Sequence, residues 1–219
     1  MSLARLTVLV SGRGSNLGAL IDASADARFG GAVTHVVSNR PGAGALEHAR
    51  RHAIAAEVVD HRAFETRQAF ESALVAAIDA GDPDLVILAG FMRVLSPATV
   101  DRYRGRLINI HPSLLPAYPG LDTHRRALAD GVRVHGCTVH FVTAEVDVGP
   151  IVAQAAVPVL PGDDEAALAT RVLAQEHRLL PAAVRWFCAG QLALVDGRVR
   201  LEAAVDGAAC LRVPDPGPN

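Results

Sequence analysis

Lysine is absent from this 219-residue sequence: all 21 basic residues are arginine. That excludes a P-loop NTPase with its Walker lysine, and it excludes Schiff-base chemistry of the aldolase or pyridoxal-phosphate kind. Cysteine is scarce. Cys137, Cys188 and Cys210 are too far apart for a CxxC pair and their odd number offers no disulfide framework, so a reducing compartment is expected. No basic run stands out, and 21 basic against 23 acidic residues leave a formal charge of −2, which argues against a grip on nucleic acid. No apolar stretch approaches the roughly 20 residues of a membrane span, and the first one, Leu6 to Val10, lacks a signal-peptide layout. These absences point to a cytoplasmic chain that acts on small molecules, as a monomer or homodimer, without nucleic acid or membrane partners.

What is present is ordinary globular composition, 50% hydrophobic and 20% charged. A chain of this length buries about 70% of its unfolded surface, so neither a metal nor a partner is needed for stability. The expected organisation is one domain over residues 1–203, with a flexible Pro-rich tail over 204–219.

The hydrophobic pattern alternates between strand and helix periods. Leu6 to Val10 reads as a strand, Ser11-Gly12-Arg13-Gly14 as a turn, and Leu17, Leu20 and Ile21 as the apolar face of a helix. The alternation continues with Val33 to Ser38, a helix over Ala45 to His52, a short strand in Ala53 to Asp60 and an amphipathic helix over Ala63 to Ala80. Asp84 to Ala89 is an apolar run of the kind found in parallel strands buried on both faces. Ser96-Pro97 starts a further helix, and Arg106 to Ile110 returns to the sheet. Val134 to Val142 and Gly149 to Val159 read as an antiparallel pair on one flank. A long helix over Asp163 to Cys188, bent at Pro181, and a hairpin around Asp196-Gly197 complete the chain. The fold class is α/β: a Rossmann-like, mostly parallel sheet flanked by helices, with an antiparallel flank toward the C-terminal part.

Two segments carry chemistry. The glycine loop ends at a helix start, where free backbone N–H groups of Gly12, Gly14, Ser15 and Asn16 suit a phosphate. It fails the dinucleotide fingerprint, because Leu17 stands where a third glycine is needed, and no acidic residue follows the next strand; no nicotinamide is expected. The second segment is Leu107 to Pro116. Asn109 and His111, two apart on a strand, share a face, and Pro112 forces the chain outward at the carboxyl end, where open α/β sheets build their sites. Asp147, in the loop from Thr143 to Pro150, supplies a carboxylate. Beside an imidazole it favours the imidazolium, which with the Asn109 amide makes a pair of donors for a developing oxyanion. His135 and His140, five apart, read as structural, and His35, His48, His52, His61 and His124 show no partner pattern. No HExxH or Cys/His cluster suggests a metal.

Ser11-Gly-Arg-Gly-Ser-Asn-Leu17, Leu88-Ala-Gly-Phe-Met-Arg-Val-Leu95, Asn109-Ile-His-Pro-Ser-Leu-Leu-Pro116 and Asp147-Val-Gly-Pro150 together resemble the phosphoribosylglycinamide formyltransferase family, from Leu6 to about Phe187. The resemblance implies transfer of a formyl group from 10-formyltetrahydrofolate, as co-substrate, to the glycinamide amine of a phosphoribosyl substrate in purine synthesis, without metal or nicotinamide. It implies Asn109, His111 and Asp147 as the catalytic trio and Gly14, Ser15 and Asn16 as the substrate-phosphate loop. Gly90, Met92, Pro112 and Glu176 would line the rest of that substrate's site. Folate would meet Met92, Arg93, Val94, Leu95, Asn109 and the loop Thr143, Ala144, Glu145, Val146 and Asp147, with Arg67 near its glutamyl end. Arg13 and Leu173 depart from the family pattern near the substrate.

Related activities remain as alternatives: a methionyl-tRNA formyltransferase, for whose C-terminal nucleic-acid-binding domain little chain is expected after Phe187, and a formyltetrahydrofolate hydrolase, whose N-terminal regulatory domain is not expected before Leu6. A non-catalytic folate- or nucleotide-binding module would keep the glycine loop but have no use for the trio.

Overall fold

The computed structural model describes residues 2–202; the tail expected over 204–219 lies outside the described residues. Seven strands form one sheet in the order β3-β2-β1-β4-β5-β6-β7. They are β1 (Ala4–Val10), β2 (Gly31–Ser38), β3 (Ala55–Val58), β4 (Leu85–Leu88), β5 (Leu107–His111), β6 (Val134–Phe141) and β7 (Ile151–Pro158). The first five pair in parallel and β6–β7 is antiparallel, as the hydrophobic pattern predicts; β5–β6 is antiparallel as well.

Side-chain alternation splits the core into two layers. Leu6, Val8 and Val10 of β1, with Leu85 and Ile87 of β4, pack under α1 (Ser15–Ser24), α2 (Ala45–Arg51) and the long α6 (Glu165–Cys188). Leu9, Val86 and Leu88 face α3 (Arg67–Ala80) and α4 (Pro97–Arg102) on the other side. Helix starts follow capping chemistry: Thr66, Ser96 and Asp164 each accept the backbone N–H three residues on, and Pro97 occupies the first turn of α4. The terminal hairpin β8 (Leu192–Val195) and β9 (Arg198–Leu201) turns through Asp196 and Gly197, both at positive φ. Helix α5 (Thr123–Ala129) has no counterpart in the sequence reading: its seven residues bury little more than Ala127 and Thr123, too few for a visible helical period.

His124, which shows no partner pattern in sequence, and His135, read as structural, pair with each other, Nδ1 to Nε2 at 3.2 Å. Burial, with neighbouring His124 adding to it, pushes the His135 imidazole down to about 4. An unfolded histidine takes a proton near pH 6.5, whereas the folded one resists until about pH 4, so stability is full above 6.5 and is lost as pH falls through that window. The two ends of the window correspond to about 3 kcal/mol. Urea unfolding at pH 7 and pH 4.5 should show wild type losing much more stability than His135→Phe; equal losses would refute a neutral buried ring.

Candidate active site

The site opens at the carboxyl ends of β4 and β5, over a cavity of about 600 Å³. Asn109 and His111 rise from one face of β5, and the antiparallel register sets His140 of β6 opposite Asn109 and Thr138 opposite His111. Asp147 enters from the β6–β7 loop in a left-handed conformation, φ 58°. Its Oδ2 accepts the Gly120 N–H at 2.8 Å and lies 3.4 Å from His111 Nδ1; its Oδ1 lies 3.7 Å from His140 Nε2. His111 Nε2 donates to the Tyr118 carbonyl at 2.9 Å. That nitrogen is spent, so only the Nδ1 edge of the buried ring faces Asp147 and the cavity.

His140 fixes the amide of Asn109. Its Nδ1 lies 3.0 Å from the Phe141 carbonyl, an acceptor, so Nδ1 carries the proton and Nε2 is the lone pair that receives Asn109 Nδ2–H at 3.1 Å. The second amide hydrogen is then free for a ligand. Burial pushes the His140 ring below its ordinary value, against the pull of Asp147, which keeps this acceptor available.

At the far wall, Asn16 Nδ2 donates to Glu176 Oε2 at 2.7 Å. Burial pushes the Glu176 carboxyl up, and the Asn16 hydrogen bond opposes that shift. Among the described residues Asn16 Oδ1 is a buried acceptor without a partner, in a side chain that lines the cavity: a place for a substrate N–H or O–H. The rim loop after β4 is clamped at both ends. Met92 N–H donates to Ser11 Oγ at 2.8 Å, Arg67 Nη2 donates to the Val94 carbonyl at 2.9 Å, and Ser96 N–H donates to Glu71 Oε2 at 2.9 Å. Burial works to raise the Glu71 carboxyl, but bonds from Ser96, Thr99 and Arg67 outweigh it and hold it below its usual range.

The formyl transferase family profile matches residues 4–184. The chain is 49% identical over 197 residues to phosphoribosylglycinamide formyltransferase of Escherichia coli (strain K12), covering 90% of this chain and 93% of that protein. This chain belongs to the formyl transferase family. It is also 44% identical to a segment of the human trifunctional purine biosynthetic protein adenosine-3, across 87% of this chain and 19% of that protein. The crystal structure of glycinamide ribonucleotide transformylase 1 from Symbiobacterium toebii superposes with a TM-score of 0.87 at 49% identity, covering 91% of this chain and 94% of that one.

In this formyl transferase nearly all the residues singled out from the sequence meet at one cavity. Asn16, Gly90, Met92 to Leu95, Asn109, His111, Pro112, Thr143 to Asp147 and Glu176 line it. Gly14, Ser15 and Arg67 do not. Gly14 is the left-handed N-cap of α1 (φ 82°), packed so close to α2 that an added Cβ would lie 2.6 Å from Ala45 Cα, and Arg67 sits behind the rim as a brace. No side chain caps the start of α1. Two positions that hold the site's residues in place escaped the sequence. Glu71 was signalled only by its i,i+4 spacing from Arg67. His140, read as structural, had no signal, because its contact depends on the β5–β6 register. His140→Gln, whose carbonyl oxygen can still accept from Asn109, should keep kcat within about tenfold, whereas His140→Leu should lower it about 100-fold with KM little changed. Equal kcat values for the two variants would remove His140 from the positioning of Asn109.

Proposed function

We propose that this enzyme transfers the formyl group of 10-formyltetrahydrofolate to the amine of 5′-phosphoribosylglycinamide, giving the formylglycinamide ribonucleotide and tetrahydrofolate in purine synthesis. The observation that carries this reading is the meeting of Asn109, His111 and Asp147 at one wall of a cavity of about 600 Å³, in a chain matching a transferase of that name along 93% of its length.

The walls fit a pterin. Met92, Val94 and Val146 are exposed apolar side chains at the rim, where a flat ring would cover them, and the Met92–Leu95 and Thr143–Asp147 backbones supply polar groups to read its edge. The substrate phosphate rests on the first N–H groups of α1, at Gly14, Ser15 and Asn16, which have no partner inside the helix. The unpartnered Asn16 Oδ1 and Glu176 then face the sugar and glycinamide part.

The acceptor amine attacks the formyl carbon and forms the new C–N bond. The oxyanion that develops takes hydrogen bonds from the free Asn109 amide hydrogen and from His111 Nδ1–H. Asp147, beside His111 Nδ1, helps move the proton from the attacking amine to the departing folate nitrogen as the old C–N bond breaks. The partners are therefore small molecules.

Purified enzyme should deformylate 10-formyltetrahydrofolate rapidly only when phosphoribosylglycinamide is present. Equal rates without the acceptor would make it a hydrolase; no turnover with both substrates would leave a binding module.

A further inference from the structure

A second cavity of about 590 Å³ lies beside the first, over the carboxyl ends of β1 and β2. The two share a wall: Ser11 lines the second cavity, and its hydroxyl holds the N–H of Met92, which lines the first. Arg13, Arg40 and Arg62 converge on it from three separate loops, with His61 between them.

The charge balance is one-sided. Arg62 is paired with Asp60 at 2.8 Å, and His61 uses Nδ1 on the Asn39 carbonyl at 3.0 Å. Most arginines of this chain are likewise tied to a carboxylate or a carbonyl. Among the described residues, the guanidinium groups of Arg13 and Arg40 have neither an ion-pair nor a hydrogen-bond partner. The cavity is thus lined by two exposed arginines without a counter-charge, beside the bare backbone of Gly12, where nothing stands within 4 Å of an added Cβ. Planar guanidinium groups suit oxyanions through paired N–H donors, and two of them call for a ligand with at least two anionic groups.

We propose that this groove is a second anion-binding site, taking a small molecule that offers closely spaced oxyanions to Arg13 and Arg40. Two sources share that chemistry: a free phosphate-bearing metabolite, or extra γ-linked carboxylates on the tail of the folate co-substrate reaching past the shared wall. Only the second source rests on the function proposed above.

The experiment uses the full chain, the variant Arg13→Ser/Arg40→Ser, and the control Arg28→Ser/Arg104→Ser, which removes two exposed cations elsewhere. Calorimetry with inorganic pyrophosphate in low salt tests the free anion. The ratio of KM values for mono- and pentaglutamyl 10-formyltetrahydrofolate tests the tail. For a phosphate source, wild type should bind pyrophosphate with Kd of about 1 mM or tighter, weakened about tenfold in Arg13→Ser/Arg40→Ser and unchanged in the control. For the tail, the pentaglutamyl form should have a KM about tenfold lower in wild type, and that advantage should vanish in the same variant alone. Absence of both effects in wild type, or equal losses in the control, overturns the proposal. Total absence of transfer activity would instead strike the functional reading and leave the pyrophosphate measurement to decide this one.

Discussion

Asn109→Ala and His111→Ala are each expected to lower kcat by about 100-fold to 1000-fold while KM moves only a few-fold. The reason is where their hydrogens point. Asn109 spends one amide hydrogen on His140 and keeps the other, and His111 spends Nε2–H on Tyr118 and keeps the Nδ1 edge. The remaining donors meet charge that exists in the tetrahedral intermediate but not in the ground-state formyl group, so their loss appears in kcat and not in substrate binding. Neither change should unfold the chain, because both side chains sit at the end of a strand whose neighbours Ile108 and Ile110 hold the core. Steady-state kinetics on the two variants settle the assignment. A rise in KM at constant kcat would make these residues binding groups only, and an unaltered enzyme would move the chemistry elsewhere in the cavity.

Gly149→Ala should be the most damaging single-methyl change near the site. A Cβ there would lie 1.8 Å from the Phe141 carbonyl oxygen and 2.9 Å from its carbon, both backbone atoms that have no rotamer to yield. Either β6 or the loop must move. Overpacking of this kind costs about 3 kcal/mol, which lowers Tm by roughly 6 to 12 °C for a chain of this size. The same displacement reaches the chemistry twice. The Phe141 carbonyl fixes the tautomer of His140, and Asp147 stands two residues before Gly149. A further loss of at least about tenfold in kcat, measured well below the new Tm, is therefore expected. Gly42→Ala is the matched control: nothing lies within 4 Å of its added Cβ, and stability should stay within about 0.5 kcal/mol of wild type. A Gly149→Ala enzyme that melts with wild type would mean that the loop does not approach β6 this closely.

Local patterns carried most of the architecture. Continuous apolar runs identify β1 and β4, the Ser96-Pro97 cap locates the start of α4, and the change of pattern after Val134 marks the antiparallel flank. Each depends on residues a few positions apart, which is the range over which spacing alone reports structure. Helix α5 was not legible, because it is short and has almost no apolar face. The bare cations of the second groove were not legible either. Arg28 and Arg50 have acidic partners two and three residues away, which spacing can suggest, but only the folded chain shows that no carboxylate from a distant segment reaches Arg13 or Arg40.

The trio proposed as catalytic divides along the same line. By itself the sequence determined that Asn109 and His111 share a face at a strand end, since strand periodicity makes that a local property, and its motifs named the family and the loop that bears Asp147. Only the tertiary structure decided which nitrogen of His111 faces Asp147, that His140 receives the Asn109 amide, and that a buried Glu71 clamps the rim loop after β4. Those contacts join residues 25 to 36 positions apart through strand register and helix docking. Register is set by turns and by burial over the whole sheet, so it exists only once the fold has formed.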